Sequence, residues 1–169
     1  TVYYHDGLTT QEEAKMALFD YTIEATSGHA RAGSYETAHG GFKTPMFMPV
    51  GTHATVKGIT VDQLHELGSQ VVLANTYHLY MRPGADLVEE AGGVQKFMSY
   101  DGPMLTDSGG FQLFSLAHMM SEDDEGVSFQ SLDYDGSKHR WTPESNMRIQ
   151  EKIGADICMQ LDQCIGYPA

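Results

Sequence analysis

The segment Thr106-Asp107-Ser108-Gly109-Gly110-Phe111-Gln112 gathers in one short run the parts of a site for a flat ligand. A carboxylate at Asp107 can take or give a proton. Gly109 and Gly110 let the backbone approach a ligand closely and adopt positive φ. Their amides can donate to a carbonyl or an anion. Phe111 offers a ring for stacking, worth about 1–3 kcal/mol per base in nucleic-acid sites. The same string also serves as a tight turn over a buried phenylalanine, and both readings stand at this point.

A second group is Asp162-Gln163-Cys164. A pocket carboxylate can accept two N–H groups from the amidine edge of guanine. Adenine would leave such a contact unmatched, at about 1–3 kcal/mol. Cys164 has no partnered base in view and reads as a small packing residue rather than a nucleophile. Asn75, Asp107 and Asp162 each end an apolar run, although Asn and Asp also simply begin turns. Histidines 53, 65, 78, 118 and 139 are scattered, with no helical zinc pair among them. Cys158 and Cys164 are too far apart for a CxxC knuckle. His53 follows the apolar run Pro45–Val50 and His78 the run Gln70–Asn75, so a metal-dependent barrel hydrolase using them with Asp107 remains an alternative. No glycine-rich phosphate loop is present.

Elements must hold these residues in place. Thr10 and Glu13 have capping-box spacing before a short helix through Leu18. Residues 19–44 read as strands with glycine turns. From residue 45, apolar runs alternate with helices: Pro45–Val50, Gln70–Asn75, Pro103–Thr106 and Ala155–Leu161. Thr60 with Gln63 caps the first helix, and Gly68 stops it. Ala85–Ala91 is a second helix, with Leu87 and Val88 inward and Gly92–Gly93 as its stop. Residues 127–141 alternate around an Asp135–Gly136 hairpin turn. Thr142 and Pro143 start a helix carrying Met147, Ile149 and Ile153, which ends at Gly154. Glu122–Glu125 reads as a solvated acidic loop. Strands alternating with helices imply a parallel sheet with helices outside. Four strand units amount to half of an eight-stranded barrel, which takes about 250 residues. In a barrel, the C-terminal strand ends form the active-site face. A complete four-strand α/β domain competes with that reading.

Composition bounds the function. The chain has 169 residues and is 41% hydrophobic, which excludes disorder. Ten Lys and Arg stand against 23 Asp and Glu, a net charge of -13. Such a balance is unlike a nucleic-acid binder and reads first as solubility. No apolar run reaches the length of a membrane span, and the N-terminus is no secretory signal. Two cysteines fit a reducing cytoplasm.

Five strings carry a resemblance: TPMFMPVGTHATVKGIT (44–60), LANTYHLYMRPG (73–84), GPMLTDSGGFQLFSL (102–116), TPESNMRIQEKIGADI (142–157) and MQLDQCIGYPA (159–169). Over about residues 18–169, the sequence resembles the tRNA-guanine transglycosylases of queuosine biosynthesis. The resemblance implies an α/β fold of the (β/α)8 TIM-barrel type. Residues 1–44 would be a tail and β extension. Residues 45–169 would be the first four strand units, with a hairpin insertion near 127–141. It implies exchange of guanine at the wobble position of a GUN-anticodon tRNA for a 7-deazaguanine, preQ1 or queuine, through a covalent aspartyl intermediate.

Residue by residue, Asp107 matches the acid/base aspartate. Ser108, Gly109, Gly110 and Phe111 match the base-binding loop, with Phe111 stacking. Asp162 matches the reader of the guanine-like edge. Cys164 and Val50 line the same pocket, Leu73 lines the ribose side, and Asn75 positions Asp107. Val50 with Cys164 implies a preference for preQ1, while Gln163 departs from the carboxylate usual beside the aminomethyl group. The implied nucleophile and the zinc ligands (three Cys and one His) fall beyond Ala169, so no metal ligand is expected in this sequence. The expected whole is a cytoplasmic homodimer with no membrane contact. These 169 residues are expected to be a piece of a longer polypeptide, or a split or non-catalytic subunit, inactive alone.

Overall fold

The computed structural model describes residues 20–116 and 120–164. The expected helix through Leu18, His118 and the last five matched residues lie outside them.

The described chain opens with three antiparallel strands: β1 (Asp20–Ser27), β2 (Ala30–Thr37) and β3 (Gly40–Thr44). Tyr21 stands opposite Tyr35, and Tyr35 opposite Phe42. Their rings stack at 4.4 and 5.0 Å, the cross-strand contacts that stabilise a sheet. Gly33 leaves room for this: a Cβ there would sit 2.6 Å from both the Tyr21 ring and the Thr22 carbonyl.

A parallel sheet follows, in which β4 (Val50–Gly51), β5 (Val72–Ala74) and β6 (Met104–Thr106) alternate with helices. Between them run α1 (Val61–Glu66), α2 (Thr76–Met81), α3 (Ala85–Glu90) and α4 (Val94–Met98). After β6 come α5 (Gly110–Leu116) and the antiparallel strands β7 (Met120–Asp123), β8 (Gly126–Gln130) and β9 (Lys138–Trp141). Then α6 (Pro143–Ile153) leads into β10 (Ile157–Cys158), which pairs parallel with β6. The parallel order is β10-β6-β5-β4. Val72, Ala74 and Met104 are fully buried, as expected for short strands covered on both faces. They pack with Leu64, Leu79, Val88, Val94 and Ile153 into one core. Tyr77, Leu113, Val127, Phe129 and Trp141 form a second core under the antiparallel insertion.

Local signals account for the helix ends. Thr60 and Gln63 form a full capping box, as do Thr142 and Ser145. Gly154 closes α6 in the left-handed conformation at φ 80°.

Several expectations change. The Pro45–Val50 run forms strand only at its end, and Phe47 is 80% exposed. The fourth strand is Ile157–Cys158, so Asp162 lies in the segment that follows rather than at a strand terminus. Val88 faces the core but Leu87 is exposed. The acidic run is a hairpin rather than a loop: Asp123 ends β7, accepts the Glu125 and Gly126 N–H groups, and pairs with Arg140 at 2.8 Å. Helices α2, α4 and α5 were not expected. Each is five to seven residues long, too short to show a period and held by packing.

Candidate functional site

Asp107 follows β6 directly, and its backbone N–H reaches the Ala74 carbonyl at the end of β5. Asn75 follows β5 directly and is the N-cap of α2, accepting the His78 N–H at 3.0 Å. That fixes its amide. Nδ2 donates to Asp107 Oδ2 at 2.6 Å, and the Thr76 N–H donates to Oδ1 at 3.1 Å. Burial pushes the Asp107 carboxyl above its ordinary value. Donation from Thr76, Asn75 and the Gly109 N–H opposes the rise, and the nearby Asp162 charge adds to it. A carboxyl so placed suits proton transfer.

Ser108 joins the second carboxylate to the first. Its hydroxyl donates to Asp162 Oδ1 and accepts the Gly110 N–H at 3.0 Å. Asn146 on α6 donates to the Ser108 carbonyl at 2.8 Å. Gly109 has φ 79°, and a Cβ there would press on Tyr77 and Trp141 at 3.0 and 3.1 Å. At Gly110 a Cβ would strike the Asp162 carboxylate and its carbonyl oxygen. Both glycines are therefore set by conformation and close approach. Phe111 lies in the first turn of α5 with 59% of its surface exposed. This corrects the buried-phenylalanine reading and leaves a ring face free for stacking.

Asn75, Asp107, Ser108, Gly109, Gly110 and Asp162 thus share one rim of the parallel sheet. The Cys164 sulfur lies 3.9 Å from Asp162 Oδ2. Val50 and Leu73 pair across β4 and β5, one strand further along, with Val50 exposed. A cleft of about 490 Å³ takes in Gly110, Leu113, Asp162 and Cys164, but not Asp107 or Phe111. Burial pushes the Cys158 thiol up, which disfavours the thiolate that a nucleophile needs.

His53 and His78 meet, with ring centroids 5.0 Å apart, but not at Asp107. Both face the Tyr134 hydroxyl, at 3.2 and 2.6 Å. Among the described residues no group of three or more His, Cys, Asp or Glu is placed to hold a metal ion. Two histidines and a phenol do not supply the donor set of the metal-hydrolase alternative, and Asp107 is committed elsewhere.

Sequence reading missed Thr76, which acts through its backbone, and the polar support on α6. Gln150 donates to Asn146 Oδ1 and the Met159 carbonyl, both at 2.7 Å, and accepts from the Thr106 hydroxyl at 2.9 Å. Asn146, Ile149, Gln150 and Ile153 form one helical stripe, and its two amides were the available signal.

Residues 25–169 match the family model described as queuine tRNA-ribosyltransferase. The chain is 56% identical over 153 residues to a queuine tRNA-ribosyltransferase of Herpetosiphon aurantiacus, covering 90% of this chain and 39% of that relative. It is 57% identical over 151 residues to one of Koribacter versatilis, covering 89% and 39%. A relative from Desulforamulus reducens is 56% identical over 148 residues, covering 86% and 40%. The chain spans about two fifths of the length of these curated relatives.

Proposed function

The chain belongs to the queuine tRNA-ribosyltransferase family, and from that premise we propose that it carries the base-recognition half of a tRNA-guanine transglycosylase. Residues 1–44 are then a tail and β extension, and 45–169 the first half of a (β/α)8 barrel with its insertion near 127–141. The reaction exchanges wobble guanine in a GUN-anticodon tRNA for a 7-deazaguanine, with preQ1 preferred over queuine. The bond from guanine N9 to ribose C1′ breaks as a carboxylate–C1′ bond forms. The incoming base then loses a proton and reverses that step. Asp107 carries the proton given to the departing base and taken from the incoming one. Asp162 accepts from the amidine edge, Ser108, Gly109 and Gly110 frame the base, and Phe111 stacks on it. Cys164 and Val50 line the pocket, Leu73 the ribose side, and Asn75 positions Asp107.

The nucleophilic carboxylate and a structural zinc are assigned to residues outside this chain, and no step here passes through the metal. The whole protein is a cytoplasmic homodimer in this reading. No helix among the described residues is long and apolar enough to cross a membrane.

One observation carries the proposal: a half-buried, amide-held carboxyl at Asp107 shares a rim with Asp162, which Ser108 orients. The test is incorporation of labelled guanine into unmodified tRNA by the complete native polypeptide. Asp107→Ala is expected to abolish it, and unchanged incorporation would refute the role of Asp107. A specificity ratio favouring queuine by about tenfold would refute the preQ1 preference.

A further inference from the structure

The antiparallel insertion packs against this rim through Trp141 at Gly109 and Phe129 at Tyr77, and it also reaches it through a phenol. Tyr134 sits in the loop between β8 and β9. Its hydroxyl meets His53, which follows β4, and His78, on α2. One oxygen therefore ties three separate segments together.

The loop that carries it is closed by its own hydrogen bonds. Ser131 N–H donates to the Ser137 carbonyl at 3.0 Å, and the Gly136 N–H to the Ser131 carbonyl at 2.9 Å. Asp135 accepts from the Ser137 N–H and the Ser131 hydroxyl. The Ser137 hydroxyl, the Ser137 N–H and Ser131 together hold its carboxyl down at about 2. The Arg82 guanidinium lies 5.7 Å from the centre of the Tyr134 ring.

His78 carries the link onward. Burial pushes its ring below the usual histidine value, and neighbouring His53 adds to that, against a smaller pull from Asp133. A neutral ring offers one donor and one acceptor nitrogen, which suits a hydroxyl partner. The His78 backbone N–H donates to Asn75 Oδ1, and Asn75 Nδ2 donates to Asp107. α2 has only six residues, so its first turn depends on outside contacts.

We propose that Tyr134 is a positioning residue for Asp107: the insertion holds the first turn of α2, and that turn holds the carboxylate. The catalytic consequence rests on the acid/base reading of Asp107, whereas the positioning does not. The groups facing Asp107 are the Asn75 amide, the Thr76 and Gly109 N–H groups and the Asp162 carboxylate. When the turn loosens, the donors weaken while Asp162 stays, so the Asp107 carboxyl rises further.

The experiment uses the complete native polypeptide with Tyr134→Phe, which removes the hydroxyl and keeps the ring. Asp107 is titrated by carboxyl 13C NMR, assigned with Asp107→Asn. The titration is expected to move up by on the order of half a unit. The acidic limb of guanine incorporation should move the same way, with kcat falling severalfold and KM for the base nearly unchanged. Tyr100→Phe is the control, because it removes a buried hydroxyl, bonded to the Ser69 carbonyl at 3.3 Å, in the other core. It should lower Tm and leave Asp107 unmoved. An unmoved Asp107 in folded Tyr134→Phe overturns the proposal, as does an equal shift in Tyr100→Phe. Should Tyr134→Phe not fold, His78→Phe, which removes the ring nitrogen that meets Tyr134 and keeps the backbone N–H to Asn75, is read in the same way, and an unmoved Asp107 there overturns the proposal. If even the native protein exchanges no guanine, the functional reading fails, while the titration still decides the positioning.

Discussion

Two half-buried aspartates flank β6, and they are built from the same parts to opposite ends. Asp107, past its C-terminal end, accepts one side-chain amide from Asn75 and one backbone N–H from Thr76. Asp156, beside its N-terminal end, accepts one side-chain amide from Gln95 at 3.1 Å and the Met104 N–H at 2.9 Å. Asp107 also has the Gly109 N–H, and the difference lies in the remaining ionisable neighbour. Asp156 receives the His39 ring at 2.8 Å from the β2–β3 turn, and its side chain is 2% exposed. Asp107 instead faces the like charge of Asp162. One carboxylate is closed off and matched, while the other is left with a burial cost its donors offset only in part. That is the expected division in an α/β barrel, with stability at the N-terminal face of the strands and chemistry at the C-terminal face.

The largest effect separates the two by activity. Asp107→Asn is expected to cut guanine incorporation by at least about a hundredfold, the usual scale for a lost acid/base group, with the fold intact by circular dichroism. Asp156→Asn in the same assay should keep activity per folded molecule within a few-fold. Equal losses in both would dissolve the comparison.

The next effect reverses the order. Asp156→Ala leaves the Met104 N–H and the Gln95 amide buried without an acceptor. It should cost about 3 kcal/mol in urea unfolding, more than the conservative Asp107→Asn. Loss of no more than a few tenths of a kcal/mol would mean that water replaces the carboxylate.

The two ends also differ in how far they could be read. Asp107 stood out because it ends an apolar run and opens a string with two glycines and an aromatic. Asp156 is hidden within Ala155–Leu161, since nothing in a short apolar run says that one carboxylate folds back on the preceding strand. Capping boxes at Thr60 and Thr142 were legible because they need only four adjacent residues. Helices α2, α4 and α5 were not, because their stability comes from tertiary contacts. The length of the fourth strand was overestimated for a related reason: an apolar run records burial, and beyond Cys158 only the Met159 N–H, among the described residues, still reaches β6, at the Thr106 carbonyl.

A smaller effect probes the rim alone. A methyl group at Gly110 would collide with Asp162, so Gly110→Ala should displace that carboxylate and weaken base binding by on the order of tenfold or more. The check is KM for guanine against kcat, with KM carrying most of the change. A variant with native KM would mean that Asp162 does not read the base.

The smallest effect is the most specific to the contrast. A carboxyl whose value is raised on folding favours the native state below its ordinary titration and loses that contribution as pH rises through the folded value. The ionised Asp107 is thus less at home in the fold than in the unfolded chain, because burial and Asp162 outweigh its donors. Asp107→Asn removes that charge while keeping the shape. Its Tm should therefore exceed that of the native protein near neutral pH. The gain should shrink as pH falls through the raised value and vanish below the ordinary value of 3.8. Asp156→Asn should give no such gain, since that carboxylate faces the His39 ring rather than a like charge. A neutral-pH gain at Asp156, or none at Asp107, would reverse which end of β6 carries the electrostatic burden.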